Sequence, residues 1–308
     1  MHKIAIGPTG MEVHIPIATP SKMVSNILQI SYFFLGFTHK IGIFLLFLHK
    51  LLIMRDKIYF LSDVHLGAQA FQDDRMREQK LVRWLTSIQD SASDIYFLGD
   101  VFDFWYEYKY VVPKGFVRLL GKLAELSDQG IRLHFFIGNH DIWVGDYFEK
   151  ELGMRVYLHD TEVDINGKRF YLAHGHRTGY RPLIVKLMHA VFHSSFIRRL
   201  YNIVHPTINY AFGLRWSKNN RLYKHKQEDA TYLGESKEYL VQFAKQYSQT
   251  HPNIDYFVFG HRHVMLDLMI SKTARVVYLG DWIWNFSYAV FDNEGLRLEM
   301  YEEPEFCE

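Results

Sequence analysis

Five short polar segments, each placed directly after an apolar run, are the feature that most constrains what this chain can fold into. They read Ser-Asp-Val-His from Ser62, Gly-Asp-Val-Phe-Asp from Gly99, Gly-Asn-His-Asp from Gly138, Ala-His-Gly-His from Ala173 and Gly-His-Arg-His from Gly260. Each apolar run before them is short and ends at a loop, which is typical of a buried strand. Because functional side chains of α/β folds gather at the carboxyl ends of strands, the pattern predicts one shared site.

The order of the predicted elements is that of a layered α/β fold. Strands at 58–61, 95–98 and 133–137 alternate with helices at 73–89 and 116–128, which is typical of a parallel sheet. Six further strands are expected, two in a hairpin about Asn166-Gly167 and the others at 255–259, 275–279, 288–291 and 296–300. We predict that these later strands form a second, more antiparallel sheet.

Residues 1–53 are predicted to lie outside this fold. Residues 23–53 are apolar and carry only Lys40 and Lys50 as formal charges. A spanning helix centred on Lys40 would place that charge at mid-bilayer, which disfavours insertion. We interpret 1–53 as an upstream extension or a membrane-associating tail, and we expect 54–308 to fold and act without it.

The five segments hold enough carboxylate, imidazole and amide side chains for two metal ions. The candidate ligands are Asp63, His65, Asp100, Asn139, His174, His261 and His263. A mixed oxygen and nitrogen shell suits Mn, Fe or Zn, and we predict two divalent ions, with Mn²⁺ first among them. Two adjacent ions can activate water and neutralise phosphate oxygens, which indicates phosphoester hydrolysis. His140 adjoins a ligand without being needed as one, so it is the candidate general acid, with Asn139 as its catalytic neighbour.

A basic segment separates the fourth polar segment from the fifth. Residues 176–227 contain ten Lys or Arg and no Asp or Glu, and subtracting ten from the net charge of +1 leaves −9 for the rest of the chain. This segment lies in a predicted helical insertion at about 177–250. An anionic substrate or an anionic membrane surface would suit it. A merely solvated basic face is the alternative.

The insertion also carries apolar residues at helical spacing, and they include Leu183, Leu187, Phe196 and Leu200. Helices that are both apolar and basic can cover acyl chains and approach anionic headgroups. Ordinary packing of these residues against the sheet is the alternative interpretation. The candidate contacts for phosphate and sugar are Ser217, Lys218, Asn220, Arg221 and Lys224.

The five segments resemble those of the calcineurin-like metallophosphoesterase superfamily, over residues 57–301. The resemblance implies a four-layer αββα sandwich with a helical cap insertion. It also implies the ligand sets of two ions and a contact between His140 and the phosphate. One set is Asp63, His65, Asp100 and His263, and the other is Asp100, Asn139, His174 and His261.

Two finer features resemble the family of UDP-2,3-diacylglucosamine pyrophosphatases, namely the aromatic segment 99–105 and the insertion after His174. That family cleaves a lipid-linked nucleotide sugar to UMP and 2,3-diacylglucosamine 1-phosphate in lipid A biosynthesis. The resemblance implies the same reaction here, by a cytoplasmic protein peripheral to the inner face of the cytoplasmic membrane. The best-known members carry Arg at the position of His140 and Asp at the position of His176.

Two alternatives stay open at this point. The same scaffold could hydrolyse a nucleotide, a nucleic acid or a phosphoprotein, although the basic helical insertion favours a lipid phosphate over nucleic acid. The chain could also be a non-catalytic scaffold, an interpretation that the complete set of candidate ligands disfavours. No stable protein partner is inferred from the sequence.

Overall fold

The computed structural model describes residues 55–68, 74–179, 194–224 and 231–303, together with Leu183, Leu187 and Val191. Of Ser195, Arg198 and residues 218–224, only the backbone is described. The predicted extension at 1–53 lies outside the described residues.

Six strands form the first sheet. They are β1 (Lys57–Leu61), β2 (Ala92–Leu98), β3 (Arg132–Phe136), β4 (Arg155–Tyr157), β10 (Ser287–Asp292) and β11 (Gly295–Met300). Their order across the sheet is β11-β10-β1-β2-β3-β4. The strands β1 to β4 run parallel, as the alternation of strands and helices predicts. The final hairpin pairs antiparallel with β1, so its predicted place in the second sheet is wrong.

Five strands form the second sheet. They are β5 (Thr161–Ile165), β6 (Lys168–Ala173), β7 (Tyr256–Phe259), β8 (Met265–Met269) and β9 (Arg275–Leu279), in the order β5-β6-β7-β9-β8. The predicted hairpin about Asn166-Gly167 joins β5 to β6. The neighbours β6, β7 and β9 run parallel, and the two outer strands are antiparallel. This sheet is therefore mixed. Its central strands can run parallel because long connections separate them in the sequence.

Six helices are described. They are α1 (Asp74–Ile88), α2 (Val117–Asp128), α3 (Tyr147–Leu152), α4 (Ser195–Ile203), α5 (Pro206–Lys224) and α6 (Tyr239–Thr250). The side chains of α1, α2 and α3 pack on the outer face of the first sheet, and those of α6 pack on the outer face of the second. The predicted αββα sandwich is confirmed.

The central strands supply side chains to two cores at once. Ile95 and Phe97 of β2 face the helices of the first core, whereas Tyr96 and Leu98 face the core between the sheets. This alternation follows from the two-residue period of a strand. Strands buried on both faces read as continuous apolar runs, which is why they were visible in the sequence.

The insertion separates into two parts. Helix α6 lies within the range predicted for the insertion, yet it forms the outer layer of the sandwich through Leu240, Val241 and Ala244. Helices α4 and α5 leave several apolar side chains in solvent, among them Phe196, which is 70% exposed. Within the part of the chain that the structure describes, no helix combines the length and the apolar character needed to cross a bilayer.

A buried acid in β2 ties the first sheet together, away from the strand ends that carry the polar segments. Asp94 accepts hydrogen bonds from Arg132 Nε and Nη2 at 2.7 and 2.6 Å, and it lies 3.1 Å from His134 Nε2. Burial raises the pKa of Asp94, but the hydrogen bonds from His134 and Arg132 outweigh burial and lower the pKa to about 2. Asp94 therefore stabilises the fold in its ionised form.

We expect Asp94→Asn to destabilise the metal-free protein on the order of 1–2 kcal/mol near pH 6, a figure reduced for solvent screening of the exposed Arg132. The folded pKa lies below the unfolded value, so the contribution is present above about pH 4 and is lost as the pH falls towards 2. Urea unfolding at pH 6 and pH 3 measures the difference from the unchanged protein. A difference that stays constant with pH would contradict the role given to the charge.

Candidate metal centre

The five polar segments meet at one edge of the sandwich. The first three follow the parallel neighbours β1, β2 and β3, and the last two follow β6 and β7 of the second sheet. Because parallel strands end at the same edge of a sheet, both sheets deliver their polar segments to one cleft. The structure thus brings together all seven side chains that the sequence nominates as ligands.

The backbone at these positions is held in a conformation that most residues avoid. Eight non-glycine residues have positive φ in the described part of the chain, and five of them are candidate ligands with φ between +50° and +69°. The five are Asp63, His65, Asp100, His261 and His263. Such backbone conformations persist where the surroundings impose them, and they are concentrated at functional sites.

One group of ligand atoms lies around Asp63. Its Oδ1 is 3.7 Å from His65 Nε2 and 3.4 Å from His263 Nε2. The same His65 nitrogen is 3.6 Å from Asp100 Oδ2. Asp63 and Asp100 are 0% and 2% exposed, whereas His263 is 31% exposed and opens to solvent. These four residues are the first predicted ligand set.

A second group shares Asp100. Its Oδ2 lies 3.4 Å from His174 Nε2, and that nitrogen lies 3.2 Å from Asn139 Oδ1. His261 offers a further atom within 4.8 Å of the ligand atoms of Asp100 and His174. These four residues are the second predicted set, with Asp100 placed between the two groups.

The protonation of His174 tests whether this group fits a metal ion. Its Nδ1 lies 2.7 Å from the carbonyl oxygen of Leu98, which can only accept, so Nδ1 carries the hydrogen. In the neutral ring, Nε2 is then an acceptor that faces two further acceptors, Asn139 Oδ1 and Asp100 Oδ2. Three acceptors directed at one another are the arrangement that a divalent cation satisfies.

The electrostatics also favour positive charge in the cleft. Burial lowers the pKa of His174, but the Asp100 and Asp63 carboxylates outweigh burial and raise that pKa to about 10. Burial raises the pKa of Asp63, while His263 and His65 bring it below its usual value. A cation bound among these buried carboxylates would take the place of protons on the imidazoles.

His140 lies beside the two groups rather than within the predicted sets. Its backbone N–H donates to Asp100 Oδ1 at 2.8 Å, and its Nδ1 lies 2.9 Å from the backbone carbonyl oxygen of Asp103. A carbonyl oxygen can only accept, so Nδ1 carries a hydrogen. The side chain is 19% exposed, which permits contact with a ligand in the cleft.

Sequence reasoning missed three buried carboxylates that hold this site. Asp103, 2% exposed, accepts a hydrogen bond from Ser217 Oγ at 2.7 Å, and its Oδ1 lies 3.6 Å from His65 Nδ1. It therefore orients a candidate ligand from behind. The sequence shows that Asp103 lies three residues after Asp100, but nothing in it reveals that the side chain turns towards His65.

Asp141 fastens the second and third polar segments to each other. It accepts backbone hydrogen bonds from Gly138 at 2.7 Å and Val101 at 2.9 Å, with longer ones from Asp100 and Phe102. Burial and the neighbouring Asp100 raise the pKa of Asp141 to about 7. The four backbone donors offset part of the free-energy cost of a buried carboxylate. Because they come from two loops, Asp141 joins these loops into one rigid unit.

Asp281 plays the same part beside the fifth segment. Its Oδ1 accepts the backbone N–H groups of Ile283, Trp284 and Asn285 at 2.9, 2.7 and 3.1 Å, and its Oδ2 lies 3.6 Å from His263 Nδ1. Burial raises the pKa of Asp281, but His263 and these backbone donors lower it overall. Asp281 lies two residues after the end of β9 at Leu279, so its position near a strand end was a signal that could have found it.

His176 lies next to the second group. The residue is 7% exposed, and its ring centroid is 5.2 Å from that of His174 and 6.4 Å from that of His261. The sequence left its role open. The structure places it as a third imidazole beside His174 and His261.

One face of helix α5 contacts the loop that follows Asp100. Tyr210, Gly213 and Ser217 share that face because they are three and four residues apart. Tyr210 Oη donates to the carbonyl oxygen of Tyr106 at 2.5 Å, and a Cβ at Gly213 would lie 2.5 Å from the ring of Phe104. The insertion therefore lies directly on the loop that follows Asp100.

The predicted substrate contacts fall in α5, with different outcomes. Ser217 is 3% exposed and donates to Asp103, so it joins the insertion to the catalytic loop. The side chains of Lys218, Asn220, Arg221 and Lys224 lie outside the described residues. Their role in binding the substrate stays a prediction.

A two-sheet sandwich whose strand ends join carboxylate, amide and imidazole groups is the framework of a metal-dependent hydrolase. The model of the calcineurin-like phosphoesterase family matches residues 56–265, and the chain belongs to this family.

The relatives with curated names extend over most of the chain. A UDP-2,3-diacylglucosamine hydrolase of Porphyromonas gingivalis is 44% identical over 263 residues, which cover 82% of this chain and 100% of that protein. The enzyme of the same name from Haemophilus ducreyi is 23% identical, over 73% of this chain and 91% of that one. Among solved structures, Yfce, a phosphoesterase from E. coli, has a TM-score of 0.39 at 15% identity, over 79% of this chain and 92% of its own.

We expect Gly138→Ala to damage the centre while leaving most of the fold intact. A Cβ at Gly138 would lie 2.8 Å from the Asp100 carboxyl carbon and nearer still to its Oδ1, so Asp100 must move. Affinity for Mn²⁺, measured by titration calorimetry, should fall at least about tenfold.

The matched control for that variant is Gly121→Ala in α2, where a Cβ meets nothing within 4 Å. Alanine should raise stability there by about 0.5–1 kcal/mol and leave the Mn²⁺ affinity unchanged. Equal Mn²⁺ affinity in both variants would contradict the close packing of Gly138 against a ligand.

Proposed function

We propose that the protein hydrolyses the pyrophosphate bond of UDP-2,3-diacylglucosamine, giving UMP and 2,3-diacylglucosamine 1-phosphate, a step of lipid A biosynthesis. The oxygen of water bonds to one phosphorus while the bond from that phosphorus to the bridging oxygen breaks. One product phosphate therefore takes the water oxygen, and the other keeps the bridging oxygen and accepts a proton. The observation that carries the proposal is that all seven candidate ligand side chains lie together, in a chain 44% identical to an enzyme named for this substrate.

Two divalent ions, with Mn²⁺ first among them, are proposed to be held by the two ligand groups. Asp63, His65 and His263 would serve one ion and Asn139, His174 and His261 the other, with Asp100 common to both. Such a pair of ions supplies an activated water nucleophile and neutralises phosphate oxygens. The chain contributes rigidity, because the backbone contacts of Asp141 and Asp281 fix the loops on which the ligands lie.

His140 is proposed to act on the phosphate. Its Nδ1 hydrogen is engaged by the Asp103 carbonyl, which fixes the orientation of the ring. In the doubly protonated ring, Nε2 can give a proton to the leaving oxygen. Asn139 is the preceding residue, and its Oδ1 lies 3.2 Å from His174 Nε2, so the candidate general acid and a candidate metal ligand lie on one loop.

The lipid portion of the substrate is proposed to meet the insertion. Apolar side chains of α4 and α5 that could have packed on the sheet are instead exposed, with Ile203 at 81%, Ile208 at 62% and Phe212 at 58%. Helix α5 turns its polar face to the catalytic loop, so its apolar stripe faces away from the body. Acyl chains or a bilayer would cover such a stripe with a gain in free energy.

The same face is proposed to place the protein on the inner surface of the cytoplasmic membrane. Residues 176–227 contain ten basic residues and no acidic ones, which complements anionic headgroups. Exposed apolar side chains and nearby positive charge together are the requirements for interfacial binding of a helix that does not span the bilayer.

The decisive test of the reaction is release of UMP from UDP-2,3-diacylglucosamine in the presence of Mn²⁺. We expect Asp100→Ala to lose bound metal and to lower turnover more than about 100-fold, because Asp100 lies in both groups. Asp128→Ala, at the exposed end of α2, is the control and should behave as the unchanged protein. Full activity on bis(p-nitrophenyl) phosphate without UMP release would favour another phosphoester substrate.

Sedimentation with vesicles tests the membrane surface. We expect Ile208→Glu and Phe212→Glu each to weaken binding to phosphatidylglycerol vesicles about tenfold, since each change removes an apolar contact and adds repulsion. Val117→Glu, at a 72% exposed position of α2, is the matched control and should bind as before. Equal binding to neutral and anionic vesicles would contradict the role of the basic residues.

A further inference from the structure

The loop of the fifth polar segment contains a buried ion pair that the metal chemistry does not use. Arg262 lies between the two candidate ligands His261 and His263, and its side chain is 11% exposed. Its Nε donates to Glu238 Oε2 at 3.0 Å and its Nη2 donates to Glu238 Oε1 at 3.0 Å. The pair is bidentate, a geometry that fixes direction as well as distance.

Glu238 is itself held on several sides. It is 1% exposed, and its Oε1 also accepts the backbone N–H of Leu233 at 3.2 Å, while Tyr278 Oη lies 3.5 Å from its Oε2. Arg262 Nη2 also reaches the carbonyl oxygen of Thr231 at 3.3 Å. The ion pair therefore connects the end of the insertion, at 231–238, to the loop between β7 and β8.

A buried ion pair is a weak source of net stability, because desolvation of both charges offsets most of their attraction. It does specify geometry. The loop at 260–263 requires a specified geometry, since His261 and His263 both have positive φ and their rings reach different ligand groups. On its inner side the loop is anchored by the His261 N–H, which donates to Asp63 Oδ2 at 2.8 Å. On its outer side the anchor is Glu238.

We propose that Glu238 and Arg262 are positioning residues for the metal centre. They hold the 260–263 loop so that one histidine reaches each ligand group, and the end of the insertion thereby becomes part of the site. This inference rests on the proposed function, because it takes both histidines to be metal ligands.

The chain offers a matched pair for comparison. Arg297 donates from Nη1 and Nη2 to the two carboxylate oxygens of Asp292 at 2.8 and 2.7 Å, on the hairpin of β10 and β11. The bidentate chemistry is the same, but this pair lies outside the cleft. A purely structural role predicts similar consequences for Glu238→Gln and Asp292→Asn.

The experiment measures Mn²⁺ binding by calorimetry and thermal unfolding on the full-length, metal-stripped protein. The variants are Glu238→Gln, Arg262→Lys, their combination and Asp292→Asn. We expect each of the first two to raise the Kd for Mn²⁺ by about 10- to 100-fold, whereas Asp292→Asn leaves it within about twofold. The combination should lose no more affinity than the worse single variant, since either change releases the same loop.

Kinetics on bis(p-nitrophenyl) phosphate supply a second readout. In Arg262→Lys, kcat should fall at limiting Mn²⁺ and recover at excess Mn²⁺, with KM for the diester unchanged. Mn²⁺ affinity in both Glu238→Gln and Arg262→Lys equal to that of the unchanged protein would overturn the positioning role. Absence of Mn²⁺ binding by the unchanged protein would instead overturn the proposed metal centre. Arg262→Lys keeps the test decisive if Glu238→Gln does not fold.

Discussion

Several buried carboxylates crowd one end of the sandwich, and the rest of the structure depends on how their charge is held. Asp63, Asp100, Asp103 and Asp281 are each at most 2% exposed. Burial of so many acids opposes ionisation, so backbone donors and imidazoles surround them, and cations would complete the balance. Three backbone features bring these donors close to the carboxylates. They are the tight loops, the residues in left-handed conformation and the glycines that have no room for a Cβ.

Most of the fold and of the site could be predicted because the signals are local. An apolar run that ends in Asp, Asn or His marks a buried strand and its polar end, and convergence then follows from parallel pairing. The return of β10 to the first sheet could not be predicted, since the choice of a strand partner depends on contacts far apart in sequence. The supporting roles of Asp103 and Asp141 are equally non-local, because a carboxylate that binds a metal and one that braces a loop have the same side chain.

The insertion illustrates a different limit of sequence reasoning. Its apolar residues recur at helical spacing, and spacing alone fits both core packing and an exposed apolar surface. The structure distinguishes these in α5, where Gly213 and Ser217 face the catalytic loop and Phe212 faces outward. A helix with its polar side inward joins the reaction chemistry to the surface that would meet lipid, so one element serves both.

Both ligand groups draw side chains from both sheets. The first combines Asp63 and His65 with His263, and the second combines Asn139 with His174 and His261. An ion bound in either group would thus cross-link two halves of the sandwich that otherwise associate through apolar packing and a few hydrogen bonds, such as the one from the His261 N–H to Asp63 Oδ2. Its binding free energy adds to the cohesion of the whole domain, by about 4 kcal/mol at a free concentration one thousand times the Kd. Metal supply would then govern the lifetime of the folded protein as well as its turnover.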